Sequence, residues 1–256
     1  MLLRDLMLIM STLILSRMNI KFNFTNKTVL VVGGSRGIGR RIVEDFLDSG
    51  ANVYYISRSK SQCKKILKAN HLQCNIQNAE EIKKAFSKIE RLDFLVNVAA
   101  INFCKKVEDI DVEEWDEVLS VNLRSFYITC KLAIKKMKTN NFGKIVNVSS
   151  IAGRNKSIVS GAHYTASKAA ILGLTRQLSQ ESSPYGININ ATCPSQTETD
   201  MLKESMTKKE IQKLSANIPL RRLAEPRDQS LPVLFLCSDA ASYITGCVLD
   251  INGGQL

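Results

Sequence analysis

The chain has 256 residues, 45% of them hydrophobic and 23% charged, a globular composition long enough for one large core and unlike a disordered tail or a small disulfide scaffold. It carries a net charge of +11, seven cysteines with no CxxC or metal-ligand spacing, and only two histidines, His71 and His163. These counts argue against a metal centre and a Ser-His-Asp hydrolase, and for reduced thiols in a cytoplasmic protein.

Leu6 to Leu15 is an apolar run between Arg4 and Arg17. It is too short to span a bilayer and lacks the small-residue cleavage site of a signal peptide. Residues 1–20 therefore read as a poorly structured extension, with Met18 as a second start. A short amphipathic helix on a membrane surface is the alternative. Residues 21–256 read as one domain.

Thr28 to Val32 is a continuous apolar run, as expected of a strand buried on both faces. A helical pattern from about Ile38 to Ser49 follows and stops at Gly50. Next come a strand at Asn52–Ile56, a short basic helix near 60–69, a strand at His71–Ile76, a helix at Glu80–Ile89 and a strand at Phe94–Val98. Glu113 to Lys138 reads as one long amphipathic helix, followed by a strand at Lys144–Ser149. A helix at Thr165–Ser182, a strand at Asn188–Thr192, helices near Glu204–Ala216 and Asp228–Leu236, and a last strand at Cys247–Ile251 complete the chain. Pro232 is expected to kink its helix or delay its start. The alternation predicts an α/β fold: a Rossmann-type doubly wound parallel sheet of about seven strands with helices on both faces.

Gly33-Gly34-Ser35-Arg36-Gly37-Ile38-Gly39 lies between a buried strand and a helix. Glycines there permit a tight turn and close approach of a pyrophosphate to the helix N-terminus. The second strand ends Ile56-Ser57-Arg58-Ser59, without the acid that would bind the ribose diol of NAD. Arg36 and Arg58 could instead clamp a 2′-phosphate, which points to NADP (NADPH) in preference to NAD. Tyr164 and Lys168 stand four apart, on one face of a helix. A phenol loses its proton near pH ~10, and a nearby cation favours the phenolate. Such a pair suits proton transfer to a carbonyl or from an alcohol. The lysine clusters at 64–68, 83–88, 131–138 and 203–213 read as solvated helix faces, or as attraction to an anionic ligand or an acidic carrier. No basic stripe interleaves with aromatics, so nucleic acid is not an expected partner.

The G-x-x-x-G-I-G spacing resembles the cofactor turn of the short-chain dehydrogenase/reductase family, and the resemblance runs from about Phe22 to Leu256. It implies cofactor contacts from Gly33, Ser35, Arg36, Gly37, Ile38, Gly39 and Arg58, and from Asn75-Ile76, which matches an Asp-Val pair set against adenine. Asn97 and Ala99 match the family's Asn-Asn-Ala-Gly segment, in which this chain has Val98 and Ala100. Pro194, Thr197 and Thr199 belong to the family's Pro-Gly loop, where Ser195 replaces the glycine. Val32 stands where a threonine usually precedes the first glycine. The implied catalytic set is Asn122, Ser150, Tyr164 and Lys168, with no metal. Tyr164 would be the general acid, and Lys168 would lower its pKa and hold the nicotinamide ribose. Ser150 would orient the carbonyl, with Ser149 as the near miss, and Asn122 would carry a relay water. The Ser150-to-Tyr164 spacing is one residue longer than is common, which places the extra residue in a loop, 154–162, bordering the substrate.

Within the family, Asn217-Ile218-Pro219-Leu220 and Tyr243-Ile244-Thr245-Gly246 look most like 3-oxoacyl-[acyl-carrier-protein] reductases. The implied substrate is a small-molecule or carrier-linked carbonyl. Tyr185, where carrier reductases often have a basic residue, and the polar stretch Ser195–Glu198 keep a sugar, polyol or nucleotide-sugar substrate open. A catalytically silent NADP-binding scaffold is the reading of another class. The resemblance also implies a homotetramer or dimer assembled through Glu113–Lys138 and Thr165–Ser182.

Overall fold

A computed structural model describes residues 21–59, 66, 68–157, 159–199, 202 and 207–256. The expected extension at 1–20 and most of the expected basic helix at 60–69 lie outside the described residues. Seven parallel strands form one sheet in the order β3-β2-β1-β4-β5-β6-β7. They are β1 (Thr28–Val32), β2 (Asn52–Ser57), β3 (Asn70–Gln73), β4 (Phe94–Asn97), β5 (Gly143–Val148), β6 (Ile187–Pro194) and β7 (Val248–Ile251). The main helices are α1 (Gly37–Asp48), α2 (Ala79–Ser87), α3 (Val112–Leu119), α4 (Ser125–Lys138), α5 (Ala162–Ser182), α6 (Lys208–Ala216) and α7 (Pro226–Cys237). Among the described residues no helix is long and apolar enough to cross a membrane.

Alternation along β1 explains its unbroken apolar run. Val29 and Val31 join one core with Ile42 and Phe46 of α1 and Val233 and Leu234 of α7. Leu30 and Val32 join the other with Ile82 of α2 and Cys130 and Met137 of α4. Successive side chains enter opposite layers, so every position must be apolar. β1 pairs with β2 on one side and β4 on the other. The chain therefore changes direction across β1, and a crevice opens beyond the C-terminal ends of β1 and β4, where ligands bind in open α/β sheets.

Some boundaries differ from expectation. β3 ends at Gln73, and the Cys74 N–H still bonds to the Ser57 carbonyl (3.1 Å) before Asn75 turns away, its N–H taken by Glu81 Oε2 (2.8 Å). The long helix is broken by a π-type turn at Ser120–Arg124. α7 starts at Pro226, so Pro232 does not delay it. Glu225 and Asp228 form a reciprocal capping box there, and Pro226 fits the first turn, where its missing N–H costs nothing.

Candidate active site

The crevice is a cleft of about 670 Å³, in the range of small-molecule sites. Among the described residues, its lining includes Arg36, Arg58 and Lys168 and no aspartate or glutamate. Every residue expected at the site lines it except Asn97 and Asn122.

One end is built by the glycine turn. Gly33 has φ 96°, and a Cβ there would stand 2.7 Å from Ala99 Cα. A Cβ on Gly39 would stand 2.1 Å from the Gly33 carbonyl oxygen. The turn can therefore lie flat on the loop after β4 only without side chains. Arg36, at the N-cap of α1, makes no side-chain cap, and no acid occupies the first turn. The N–H groups of that turn and the positive end of the helix dipole face the cleft, with Thr199 packed over Gly37 (3.2 Å to a built Cβ). This cradle and its cations fit a dinucleotide pyrophosphate. Ser57 and Ser59 flank Arg58 at the end of β2 and also line the cleft, as do Ser157, Val159 and Ser160 of the loop before α5. Their position after β2 could have flagged the two serines. The loop residues fall in the 154–162 loop to which the long Ser150-to-Tyr164 spacing points.

The other end is built where β5 meets α5. The turn after β5 approaches α5 so closely that a Cβ on Gly153 would stand 2.6 Å from the Lys168 carbonyl carbon. Ser149 Oγ is buried and donates to the Lys168 carbonyl (2.6 Å), so its role is to bind strand to helix. Ser150 is the serine whose hydroxyl acts on the Tyr164 phenol, favouring its ionised form. Its Oγ also accepts from the Ala152 N–H (3.1 Å). Lys168 Nζ donates to the Val148 carbonyl (2.9 Å) and lies 5.6 Å from the centroids of both Phe126 and Tyr164.

The expected electrostatics are reversed. Burial pushes the Tyr164 phenol above its ordinary range, and Ser150 only partly opposes this. Burial pulls Lys168 down to about 7, with the Cys193 thiol opposing. A lysine that loses its own charge near neutrality is a weak source of field for the phenolate, because both charged forms are desolvated here.

The two expected residues outside the lining are structural neighbours of the site. Asn122, buried in the π-type turn, binds the loop after β4 like a short strand: its Oδ1 accepts from the Ile101 N–H (2.9 Å) and its Nδ2 donates to the Ile101 carbonyl (2.9 Å). The second Nδ2 proton goes to Ser167 Oγ (3.2 Å). Both amide donors are thus used, and the side chain fixes Ile101. Asn97 donates to Asn147 Oδ1 (2.9 Å) and accepts from Thr129 Oγ1 (2.8 Å). Asn147 passes the chain on to Thr175 (3.0 Å). This buried network ties β4 and β5 to α4 and α5 beneath the cleft. Thr197, though at the cleft, directs its hydroxyl to the Ser195 carbonyl (2.9 Å).

A family profile described as enoyl-(acyl carrier protein) reductase matches residues 32–255. Among curated relatives, 3-oxoacyl-[acyl-carrier-protein] reductase FabG of Aquifex aeolicus is 37% identical over 243 residues, covering 90% of this chain and 97% of the relative. The protein of the same name from Rickettsia felis is 37% identical, covering 91% and 98%. Among solved structures, a 3-oxoacyl-[acyl-carrier protein] reductase from Brucella melitensis superposes with TM-score 0.87 at 28% identity, covering 92% of this chain and 93% of the other. The aldohexose dehydrogenase of Thermoplasma acidophilum gives 0.84 at 31%, covering 90% and 94%.

Proposed function

The chain belongs to the short-chain dehydrogenase/reductase family, and from that premise we propose that it is an NADPH-dependent ketone reductase acting on a 3-oxoacyl group carried as a thioester. The observation that carries this reading is the Tyr164 phenol, beside Ser150 and Lys168 in a cleft that also contains the Gly33–Gly39 turn.

The glycine turn and the α1 N-terminus would hold the pyrophosphate, Arg36 and Arg58 the 2′-phosphate, and Asn75 and Ile76 the adenine end. Thr199, Pro194 and Ala99 would border the nicotinamide half. The bound nicotinamide would supply hydride. Tyr164 gives its proton to the carbonyl oxygen as charge develops there, and Ser150 Oγ–H donates a second hydrogen bond to the same oxygen. Lys168, titrating at about 7, is matched to returning a proton to Tyr164 at neutral pH. The side chain of Asn122 holds Ile101 at the edge of the cleft.

The relatives named for 3-oxoacyl reduction and the positive net charge, suited to an acidic carrier, favour the thioester. The polar mouth, with Asn102, Ser157, Ser160 and Gln196, favours a second reading in which the ketone is that of a hydroxylated substrate such as a keto-sugar. A screen of NADPH and NADH oxidation against an acyl-carrier 3-oxothioester and a set of keto-sugars separates the two. Tyr164→Phe should lower kcat by about 10²–10⁴-fold on whichever substrate is reduced. NADPH binding without oxidation by any carbonyl, equally in wild type and Tyr164→Phe, would leave a binding protein rather than an enzyme.

A further inference from the structure

His163, the residue before Tyr164, is fully buried and belongs to none of the roles above. α5 begins at Ala162, with Gly161 at the N-cap and no side-chain cap. The Tyr164 N–H is therefore one of the amides that a helix start leaves without a backbone acceptor. A serine or aspartate at the N-cap would normally accept from it. Gly161 has no side chain, and a Cβ there would stand 2.5 Å from His163 Cε1 and 2.8 Å from the Phe103 carbonyl oxygen. The imidazole serves as the acceptor instead, and the Tyr164 N–H donates to His163 Nδ1 at 2.8 Å.

The opposite ring nitrogen fixes the tautomer. His163 Nε2 lies 3.1 Å from Glu114 Oε1 of α3. Glu114 Oε2 in turn pairs with Lys105 Nζ at 2.5 Å. The lysine hydrogen bond, with His163 adding to it, holds the Glu114 carboxyl below the usual carboxylate range. Because Nδ1 must accept from an amide, the proton stays on Nε2 and is donated to the carboxylate. The same ring lies against the loop after β4, 6.2 Å from the Phe103 ring, and the Phe103 carbonyl accepts the Gly161 N–H (3.0 Å).

We propose that His163 is a positioning residue for Tyr164: held as its Nε2–H tautomer by Glu114, it caps α5 from inside the first turn and so fixes the phenol opposite Ser150. The proposal rests on the reading of Tyr164 as proton donor, and its test separates the two. ¹⁵N NMR of imidazole-labelled protein should show at neutral pH a protonated Nε2 and an unprotonated, hydrogen-bonded Nδ1. A ring protonated on Nδ1 overturns the proposal whether or not a substrate is known. On the ketone found by the screen, His163→Ala should lower kcat about 10- to 100-fold while KM and the NADPH Kd move by no more than about threefold. His163→Asn, whose Oδ1 falls near the Nδ1 position, should recover most of the loss. His163→Gln, which reaches Glu114 without serving the Tyr164 amide, should not. A fully active alanine variant, or asparagine and glutamine variants that fail alike, overturns the proposal. If wild type reduces no ketone, the functional reading fails, but the titration of the Tyr164 phenol still decides this one. Isolated by subtracting the matching Tyr164→Phe protein, it should move toward an ordinary phenol's in His163→Ala and stay in place in His163→Asn. An unmoved titration in the alanine variant overturns the proposal.

Discussion

Tyr164 and Lys168 are legible as a pair from their spacing, but what burial does to them is not. A helix face predicts proximity; it does not predict that both groups lose water. That loss has a consequence for stability. Lys168 titrates at about 7 in the folded chain against about 10.4 for an exposed lysine. Below pH 7 the ammonium is charged in both states, and its burial is fully penalised. Above that value the unfolded chain binds the extra proton, so stability rises with pH. Buried Lys144, also pulled down by desolvation, acts in the same direction. The thiols act oppositely: burial pushes Cys130 and Cys237 up to about 12, so unfolding releases their protons first above about pH 9. The ligand-free protein should therefore become more stable from about pH 7 to pH 9 and less stable beyond. Lys168→Met should flatten much of the first rise in thermal melts. A variant that keeps the full wild-type slope would show that Lys168 does not titrate there. The choice between Ser149 and Ser150 belongs to this scale too. Sequence order favours Ser150, and the structure supplies the reason: Ser149 Oγ is already used to bind the Lys168 carbonyl.

At the scale of elements, β1 is the most legible strand, because burial on both faces leaves the apolar run Val29–Val32, whereas β3 and β6 carry Asn70, Gln73, Asn188 and Asn190. Helix starts are less so. α5 begins at Ala162, three residues before the expected Thr165, because its N-cap is a glycine and the capping group sits inside the helix at His163. No serine, threonine or aspartate stands at the N-cap position itself. The π-type turn at Ser120–Arg124 is equally hidden, since apolar spacing over one turn does not separate i+4 from i+5 bonding. The glycine turn is fully legible as a motif, yet its reason is tertiary. Gly39 is needed because a Cβ would stand 2.1 Å from the Gly33 oxygen and 3.0 Å from Val98 Cγ1. Gly39→Ala should thus push the turn off the loop after β4. The expected result is a destabilisation of about 1–3 kcal/mol in denaturant melts, with a loss of NADPH binding larger than stability alone explains. Wild-type affinity in a folded Gly39→Ala protein would mean that the turn can relax without harm.

At the scale of the whole molecule, charge and cleft point to the same kind of ligand. The chain carries +11, and among the described residues the cleft lining has two arginines, Arg36 and Arg58, and no carboxylate. Such a lining attracts anions from a distance. Arg36 stands at the N-cap of α1 and Arg58 just past the end of β2, on the two walls that would flank an adenosine ribose. Each is exposed, so neither is fixed by packing, and each can close on a ligand as a charge-assisted donor. A hydrogen bond to a charged group contributes about 1.5–3 kcal/mol, or roughly a 10- to 100-fold change in affinity per arginine. Arg36→Ala and Arg58→Ala should each weaken NADPH binding by about that factor and leave NADH nearly unchanged. The double variant should bring the two cofactors together and remove most of the salt dependence that separates them. Fluorescence titration of both cofactors at low and high salt measures this directly. If NADH binds more tightly than NADPH in wild type, or both arginines can be removed without narrowing the preference, the 2′-phosphate is not what these side chains hold.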